Sequence, residues 1–179
     1  MPNNCLQAAM DYAGRGLSVI PVRGEDKKPF ISWEEYQKRR ATPEEIRTWW
    51  AKYPKAMIGI VCGEISGIFV IDCDNTEAYE RIQKALPDSF LCPIAKTPRG
   101  WHLWFLFALN YKVANRPRVL PGVDIRTTGG YIIAPPSTNA EGKGYAWQEG
   151  LTLGEVELAT VPDALMNYPA ASYGVSKHL

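Results

Sequence analysis

Two aspartates, two residues apart at the end of an apolar run, are the feature of this chain that most directly implies chemistry. The run reads Ile68-Phe69-Val70-Ile71-Asp72-Cys73-Asp74. Side chains of a strand alternate faces, so Asp72 and Asp74 point one way while Ile71 and Cys73 point the other. Two carboxylates set against a core are costly unless a cation or hydrogen-bond donors compensate them. Hard divalent ions such as Mg2+ and Mn2+ take oxygen ligands, and this pair supplies them. A plainer reading stays open: the strand ends in a polar turn, with Asp74 or Asn75 capping the next helix.

Two further segments carry candidate side chains. In Thr97-Pro98-Arg99-Gly100-Trp101-His102-Leu103-Trp104-Phe105 a turn bearing an arginine leads into an aromatic strand whose second residue is histidine. Arg99 offers a planar fork of donors and His102 a ring N–H, both suited to phosphate oxygens. A core histidine bonded to backbone is the competing reading. Within residues 122–137, Asp124 lies in an apolar strand, and Arg126 shares its face by the period of two. That pair serves either a charged site or an internal brace. Gly129-Gly130 fits a tight turn and would also let backbone amides approach a phosphate. Lys27 and Lys28 precede Pro29 in a polar stretch that reads first as a solvated loop.

The order of these parts is more specific than any one of them: hDhD on one strand, xGxH entering another, then hD on a third, where h is apolar. This order resembles the bifunctional primase–polymerase (prim-pol) domain of the archaeo-eukaryotic primase superfamily. The likeness runs over nearly the whole chain. AMDYAGRGLSVIPV, KKPFISWEEY, ATPEEIRTWW and MIGIVCGEISGIFVIDCD look like the first half of that domain. TPRGWHLWF, VDIRTTGGYIIAPPS and VPDALM look like the rest.

The resemblance implies an α+β (mixed α/β) fold, with an RRM-like antiparallel sheet as catalytic core and an N-terminal αβ unit. It implies a catalytic domain over residues 1–170, with residues 171–179 as a tail at the truncation point of a longer protein. It implies a template-dependent nucleotidyltransferase, a DNA primase and polymerase joining NTPs or dNTPs on single-stranded DNA beside a primer. Asp72, Asp74 and Asp124 would be the catalytic, metal-binding carboxylates for two Mg2+ or Mn2+ ions. His102 would contact the incoming phosphates. Arg99 and Arg126 lie within reach of them, and Lys28 is a weaker candidate. Lys38, Arg39 and Arg40, with Arg116 and Arg118, are the basic clusters available to DNA phosphates. Trp33, Trp101 and Trp104 offer stacking platforms for bases, or else fill the core. The sequence has no GxxxxGK[ST] loop, so a helicase partner would act in cis or in trans. Two rival functions remain: a non-catalytic single-stranded-DNA-binding replication initiator, and a metal-dependent phosphodiesterase or nuclease.

The elements that must position these residues follow from periodicity and punctuation. Leu6, Ala9, Met10 and Ala13 recur at helical spacing before Gly14 and Gly16, and LSVIPV (residues 17–22) reads as a buried strand. Thr42, Pro43 and Glu45 form a helix start with a capping box, and Ile46, Trp49, Trp50 and Tyr53 supply its apolar face. Residues 57–63 and 68–74 read as a hairpin, 75–86 as a helix, and 101–107 as a strand. GVDIR and GYIIAPP read as a strand pair about the turn 127–130. A short last helix is expected from Pro162 through Ala164, Leu165 and Met166.

Composition sets the outer bounds. With 179 residues, 46% hydrophobic and 22% charged, the chain suits one globular domain and excludes disorder, collagen and coiled coil. No run approaches the roughly 20 apolar residues of a membrane span, and the first residues lack the pattern of a secretory signal. A soluble, cytoplasmic protein with no membrane partner is therefore expected. A net charge of +1 argues against a chain-wide basic coat but permits a local patch. Four cysteines without a CxxC pair, and two histidines, give no reason to expect zinc or a disulfide framework.

Overall fold

A computed structural model describes residues 4–109 and 116–165, giving backbone alone for 116–119. In chain order the elements are α1 (Cys5–Gly14), β1 (Ser18–Val22), a short 3-10 helix (Glu34–Gln37), α2 (Pro43–Lys52), β2 (Met57–Val61), β3 (Ile68–Cys73) and α3 (Thr76–Ala85). They continue with β4 (Ile94–Lys96), β5 (Trp101–Leu106), β6 (Arg116–Leu120), β7 (Val123–Arg126), β8 (Tyr131–Ala134) and β9 (Ala146–Trp147). The strands form two antiparallel sheets, β1-β2-β8 and β6-β7-β3-β5-β4-β9. This is a mixed α+β architecture, as expected.

The larger sheet is apolar on both faces at its centre. Ile68, Val70 and Trp104 face the first sheet and join the core formed with α1 and α2. Phe69, Ile71, Cys73, Leu103 and Phe105 pack on the other side with Ala78 and Ile82 of α3. Two-sided burial explains the unbroken apolar run that precedes Asp72. Fully burying each such large side chain stabilises the fold by about 1.5–3 kcal/mol, so β3 and β5 form a stiff platform.

The helix ends follow their local chemistry. Thr42 and Glu45 close a capping box at α2, with Pro43 at its start. At α3 the cap is Asn75, whose side chain accepts the Ala78 N–H at 2.8 Å. That settles the capping alternative and leaves the Asp74 carboxylate uncommitted to the helix. The short last helix begins after Pro162, where Leu165 N–H donates to the Pro162 carbonyl and its side chain is buried. Met166 and the expected tail 171–179 lie outside the described residues.

Two expected strand pairs are corrected. Residues 57–63 and 68–74 meet at a single antiparallel bridge, Gly63–Ile68, and do not pair further as a hairpin, and GVDIR and GYIIAPP do not form one. Both edges of β2 are taken by β1 and β8, and both edges of β3 by β5 and β7. The connecting turns instead carry the chain from one sheet to the other. These two crossings touch: Cys62 N–H donates to the Gly130 carbonyl at 2.9 Å. A side chain on Gly63 would collide with the Thr128 backbone, so only glycine permits that approach. Alternation within each strand was legible; which sheet it joined depended on this contact between distant turns. The short strand β4, the edge strands β6 and β9 and the 3-10 helix have no counterpart among the elements expected from the sequence.

Candidate active site

Strand register builds the site. Asp72 of β3 stands opposite His102 of β5 on one side and opposite Asp124 of β7 on the other. Opposite residues of antiparallel strands share a face, with Cβ atoms roughly 4.5–5.5 Å apart. Asp124, Asp72 and His102 therefore form one row across the three central strands. The row lies on the face that carries Val70 and Trp104 into the core, at the point where the apolar stack gives way to charge.

Asp74 follows one residue past β3, its N–H donating to the Gly122 carbonyl at 2.7 Å. The turn 97–100 packs against this strand end. A Cβ on Gly100 would lie 1.8 Å from the Cys73 carbonyl oxygen, so the close approach requires glycine. Thr97 and Gly100 tie the turn together through Gly100 N–H to Thr97 Oγ1, 2.9 Å. Arg99 is thereby carried to the same cleft as Asp74.

The cleft has two adjoining lobes. The larger, about 270 Å³, is lined by Asp72, His102, Arg126, Gly129, Gly130 and Tyr145, among others. The smaller, about 40 Å³, adds Asp74 and Arg99. Lys27 borders both lobes. Larger hollows of about 470 and 640 Å³ lie elsewhere and contain none of the acidic row.

Charges in the cleft are tightly arranged. His102 is 5% exposed, and its Nε2 lies 3.4 Å from Asp72 Oδ1. Its Nδ1 is buried without a hydrogen-bond partner among the described residues. Burial opposes ionisation of Asp72, but His102, Arg126 and Lys27 outweigh it and hold the carboxyl below its ordinary range. Asp74 is pushed the other way, by burial and then by the charges of Asp72 and Asp124. Arg126 Nη2 lies 2.7 Å from Asp124 Oδ2, so the two form an ion pair, of which Arg126 lines the larger lobe and Asp124 lines neither. Burial, then the Asp72 charge, pushes the Tyr145 hydroxyl up to about 12.

The donor set fits a hard cation in its chemistry. It is composed of carboxylate oxygens, two of which raise the third by repulsion. The buried Cys73 and Cys92 thiols are pushed up to about 12 by burial and are poor ligands. Among the described residues no three His, Cys, Asp or Glu side chains yet converge on one point. Asp124 is turned toward Arg126, and Asp72 toward His102.

Other candidates fall outside this cleft. Lys28 does not line it; its neighbour Lys27 does. Arg39 pairs with Glu35 and Glu45, and Arg40 Nε donates to the Gly16 carbonyl at 2.6 Å. Lys38 is exposed beside them. Arg116 and Arg118 lie on β6, with their side chains outside the description. Trp104 is fully buried and is core, not a stacking platform. Trp101 stacks on Tyr79 at 4.4 Å, and Trp33 meets Tyr131 edge-on at 5.1 Å. The residues that sequence reasoning passed over are Lys27 and Tyr145. The KKP segment was visible, but nothing in it distinguished the two lysines; Tyr145 carried no signal at all.

Residues 9–164 match the family model described as the N-terminal domain of bifunctional DNA primase/polymerases, and the chain belongs to that family. No curated protein sequence matches it. Membership makes the chain a nucleotidyltransferase of the primase/polymerase type, with DNA and nucleotides as its substrates. Among the described residues no helix is long and apolar enough to cross a membrane.

Proposed function

We propose that this domain joins NTPs or dNTPs on a single-stranded DNA template during DNA replication, working at the cleft of Asp72 and Asp74 with Asp124 beside it on the neighbouring strand. The observation that carries this reading is the row Asp124–Asp72–His102 across three paired strands, with Asp74, Arg99 and Arg126 around it. Asp72, Asp74 and Asp124 would hold two Mg2+ or Mn2+ ions, which when bound neutralise charge on the α-phosphate and activate the attacking 3′-hydroxyl.

The chain's own residues contribute mainly by position and charge. His102 Nε2, buried against Asp72, holds that carboxylate in one orientation. Arg99 and Arg126 orient the β- and γ-phosphates by their planar forks. Arg126 neutralises Asp124 while no substrate is present, and a triphosphate competes for the same guanidinium. Ile132, Ile133 and Tyr145 give the larger lobe an apolar floor that excludes water and strengthens these interactions. Template phosphates are met by basic residues, among them Lys38, Arg116 and Arg118, with salt-sensitive affinity. Strand separation falls to a helicase in cis or in trans.

The test is a denaturing gel of single-stranded templates, primed and unprimed, with labelled nucleotides and Mg2+ or Mn2+. Wild type is expected to lengthen the primer, while Asp72→Ala and Asp124→Ala lose transfer yet retain the circular dichroism of the fold. Products on unprimed template would establish priming as well. Shortened strands would establish a nuclease instead. Oligonucleotide binding without any metal-dependent product would leave an initiator-type binding domain.

A further inference from the structure

We infer that Lys27 is a ligand of the substrate's triphosphate, reaching across the cleft from the first sheet to face the arginines of the second. The inference rests on the cleft being a nucleotide site, and adds to it a residue and the group that residue binds.

The position of Lys27 is over-determined. It has φ 59°, and it is the non-glycine residue with positive φ among those described. Such a conformation persists only where the surroundings enforce it. Here they do. Lys27 N–H donates to the Arg23 carbonyl at 3.1 Å, and Arg23 N–H returns to the Lys28 carbonyl at 2.9 Å. Arg23 pairs with Asp26, and Asp26 also accepts the Lys28 N–H at 3.1 Å. The Tyr131 hydroxyl donates to the Lys27 carbonyl, binding the loop to the start of β8 beside Gly129 and Gly130. Ala140 N–H donates to the Gly24 carbonyl at 3.1 Å and holds the other side. The loop from Arg23 to Lys28 is thus tied down on both sides and places one long side chain at the cleft.

The charge environment gives that side chain an anionic partner to meet. Lys27 borders both lobes, with Asp72 in each and Asp74 in the smaller. Yet its ammonium makes no salt bridge among the described residues, whereas Arg126 is engaged by Asp124 at 2.7 Å. An ammonium has three donors and no acceptor, and lone phosphate oxygens suit it well. Arg126 and the Gly129–Gly130 turn line the same lobe, so a chain of phosphates there meets cations on both sides. The two sources of such oxygens are a free triphosphate and the backbone of a DNA strand. The larger lobe, at about 270 Å³, has room for the former and carries Asp72 in its lining, so the inference assigns the β- and γ-phosphates to it.

The experiment uses equilibrium titration of the protein with dATP, inorganic tripolyphosphate, deoxyadenosine and a single-stranded oligonucleotide, all with Mg2+. Lys27→Asn removes the charge while keeping a residue that tolerates positive φ, and a thermal melt checks that the loop survives. The expected result is a loss of about tenfold or more for dATP and tripolyphosphate alike, with deoxyadenosine and oligonucleotide binding unchanged. Lys28→Asn is the comparison, since the sequence resemblance pointed to that neighbour. Wild-type affinity for tripolyphosphate in Lys27→Asn, an equal loss in Lys28→Asn, or a loss confined to the oligonucleotide would each overturn the inference. Primer extension by wild type, run separately, reports on the proposed polymerisation whatever the binding result.

Discussion

Asp72 and His102 stand opposite each other on β3 and β5, with His102 Nε2 3.4 Å from Asp72 Oδ1 and Nδ1 buried without a partner among the described residues. An unmatched buried polar atom commonly costs about 1–3 kcal/mol, so packing alone does not account for a histidine here. In the proposed site its role is to orient Asp72. Removing a partner that orients a metal-binding carboxylate typically costs 10–100-fold in metal affinity or activity. His102→Ala is accordingly expected to lower the rate of primer extension by about that factor and to raise the Mg2+ concentration needed for half-maximal rate. A change in nucleotide KM alone, at unchanged metal requirement, would assign His102 to the phosphates directly.

Asp74 differs from Asp72 in the sign of its shift, and the sign makes a prediction. Burial, then the Asp72 and Asp124 charges, raises its pKa in the folded state. The ionised form therefore costs stability at neutral pH, and that cost disappears as pH falls through the raised value. Without divalent metal, Asp74→Asn is expected to melt above wild type at pH 7, with the difference closing in acid. Adding Mg2+ should raise the melting temperature of wild type more than that of the variant, because the variant lacks the charge that the cation satisfies. Differential scanning fluorimetry across pH, with and without Mg2+, checks both halves; a variant less stable than wild type at pH 7 would contradict the repulsion.

How far the site was legible depended on whether a residue's place is fixed locally. Asp72, His102, Asp124 and Arg126 sit on strands whose period of two states which side chains share a face, and the structure joins the first three by register. The Thr42–Glu45 box was equally local. Lys27 was not, because its aim depends on a turn closed by Asp26 and by Tyr131, over a hundred residues away. Nor was the assignment of strands to two sheets, which depends on Cys62 and Gly63 meeting the turn before β8. Arg39 and Arg40 look like a solvated basic cluster in one dimension; Glu45 and the carbonyl of Gly16, which engage them, are found only in three.

Gly100 is a sharper test of the architecture than any charged residue. Its missing Cβ would lie 1.8 Å from the Cys73 carbonyl oxygen and 2.9 Å from the Asp74 carbonyl carbon. The obstacle is backbone, so relief requires moving the turn that bears Arg99 away from the acidic strand end. Gly100→Ala is expected to cost about 3 kcal/mol, or roughly 6–12 °C in Tm for a chain of this size. It should also depress nucleotide transfer at temperatures where the protein remains folded. Gly14→Ala, at the end of α1 with nothing within 4 Å, is the control and should be neutral or slightly stabilising. Equal melting temperatures for the two variants would show that the turn is not seated on β3 as described.

Arg39 belongs to a network that braces the start of α2, and Glu45 makes this measurable. Glu45 accepts from Arg39 Nη2 at 2.7 Å, from Thr42 N–H at 2.8 Å and from the Tyr36 hydroxyl at 3.0 Å. Its hydrogen bonds to Arg39 first, against the effect of burial and with help from Thr42 and Tyr36, lower its pKa to about 2 from a usual 4.5. A lowered folded pKa means stability that is present above the ordinary value and lost as pH falls through the folded one. Glu45→Gln is therefore expected to destabilise the domain by about 1 kcal/mol at neutral pH, the usual worth of a helix cap. The gap from wild type should narrow between pH 4.5 and 2. Arg39→Ala should reproduce the loss of stability, and the double variant should be little worse than either, since both break one network. Oligonucleotide affinity at low salt should change little in Arg39→Ala, because its guanidinium is already held by Glu35 and Glu45. A marked fall in that affinity, with the melting temperature intact, would return Arg39 to the DNA-binding surface.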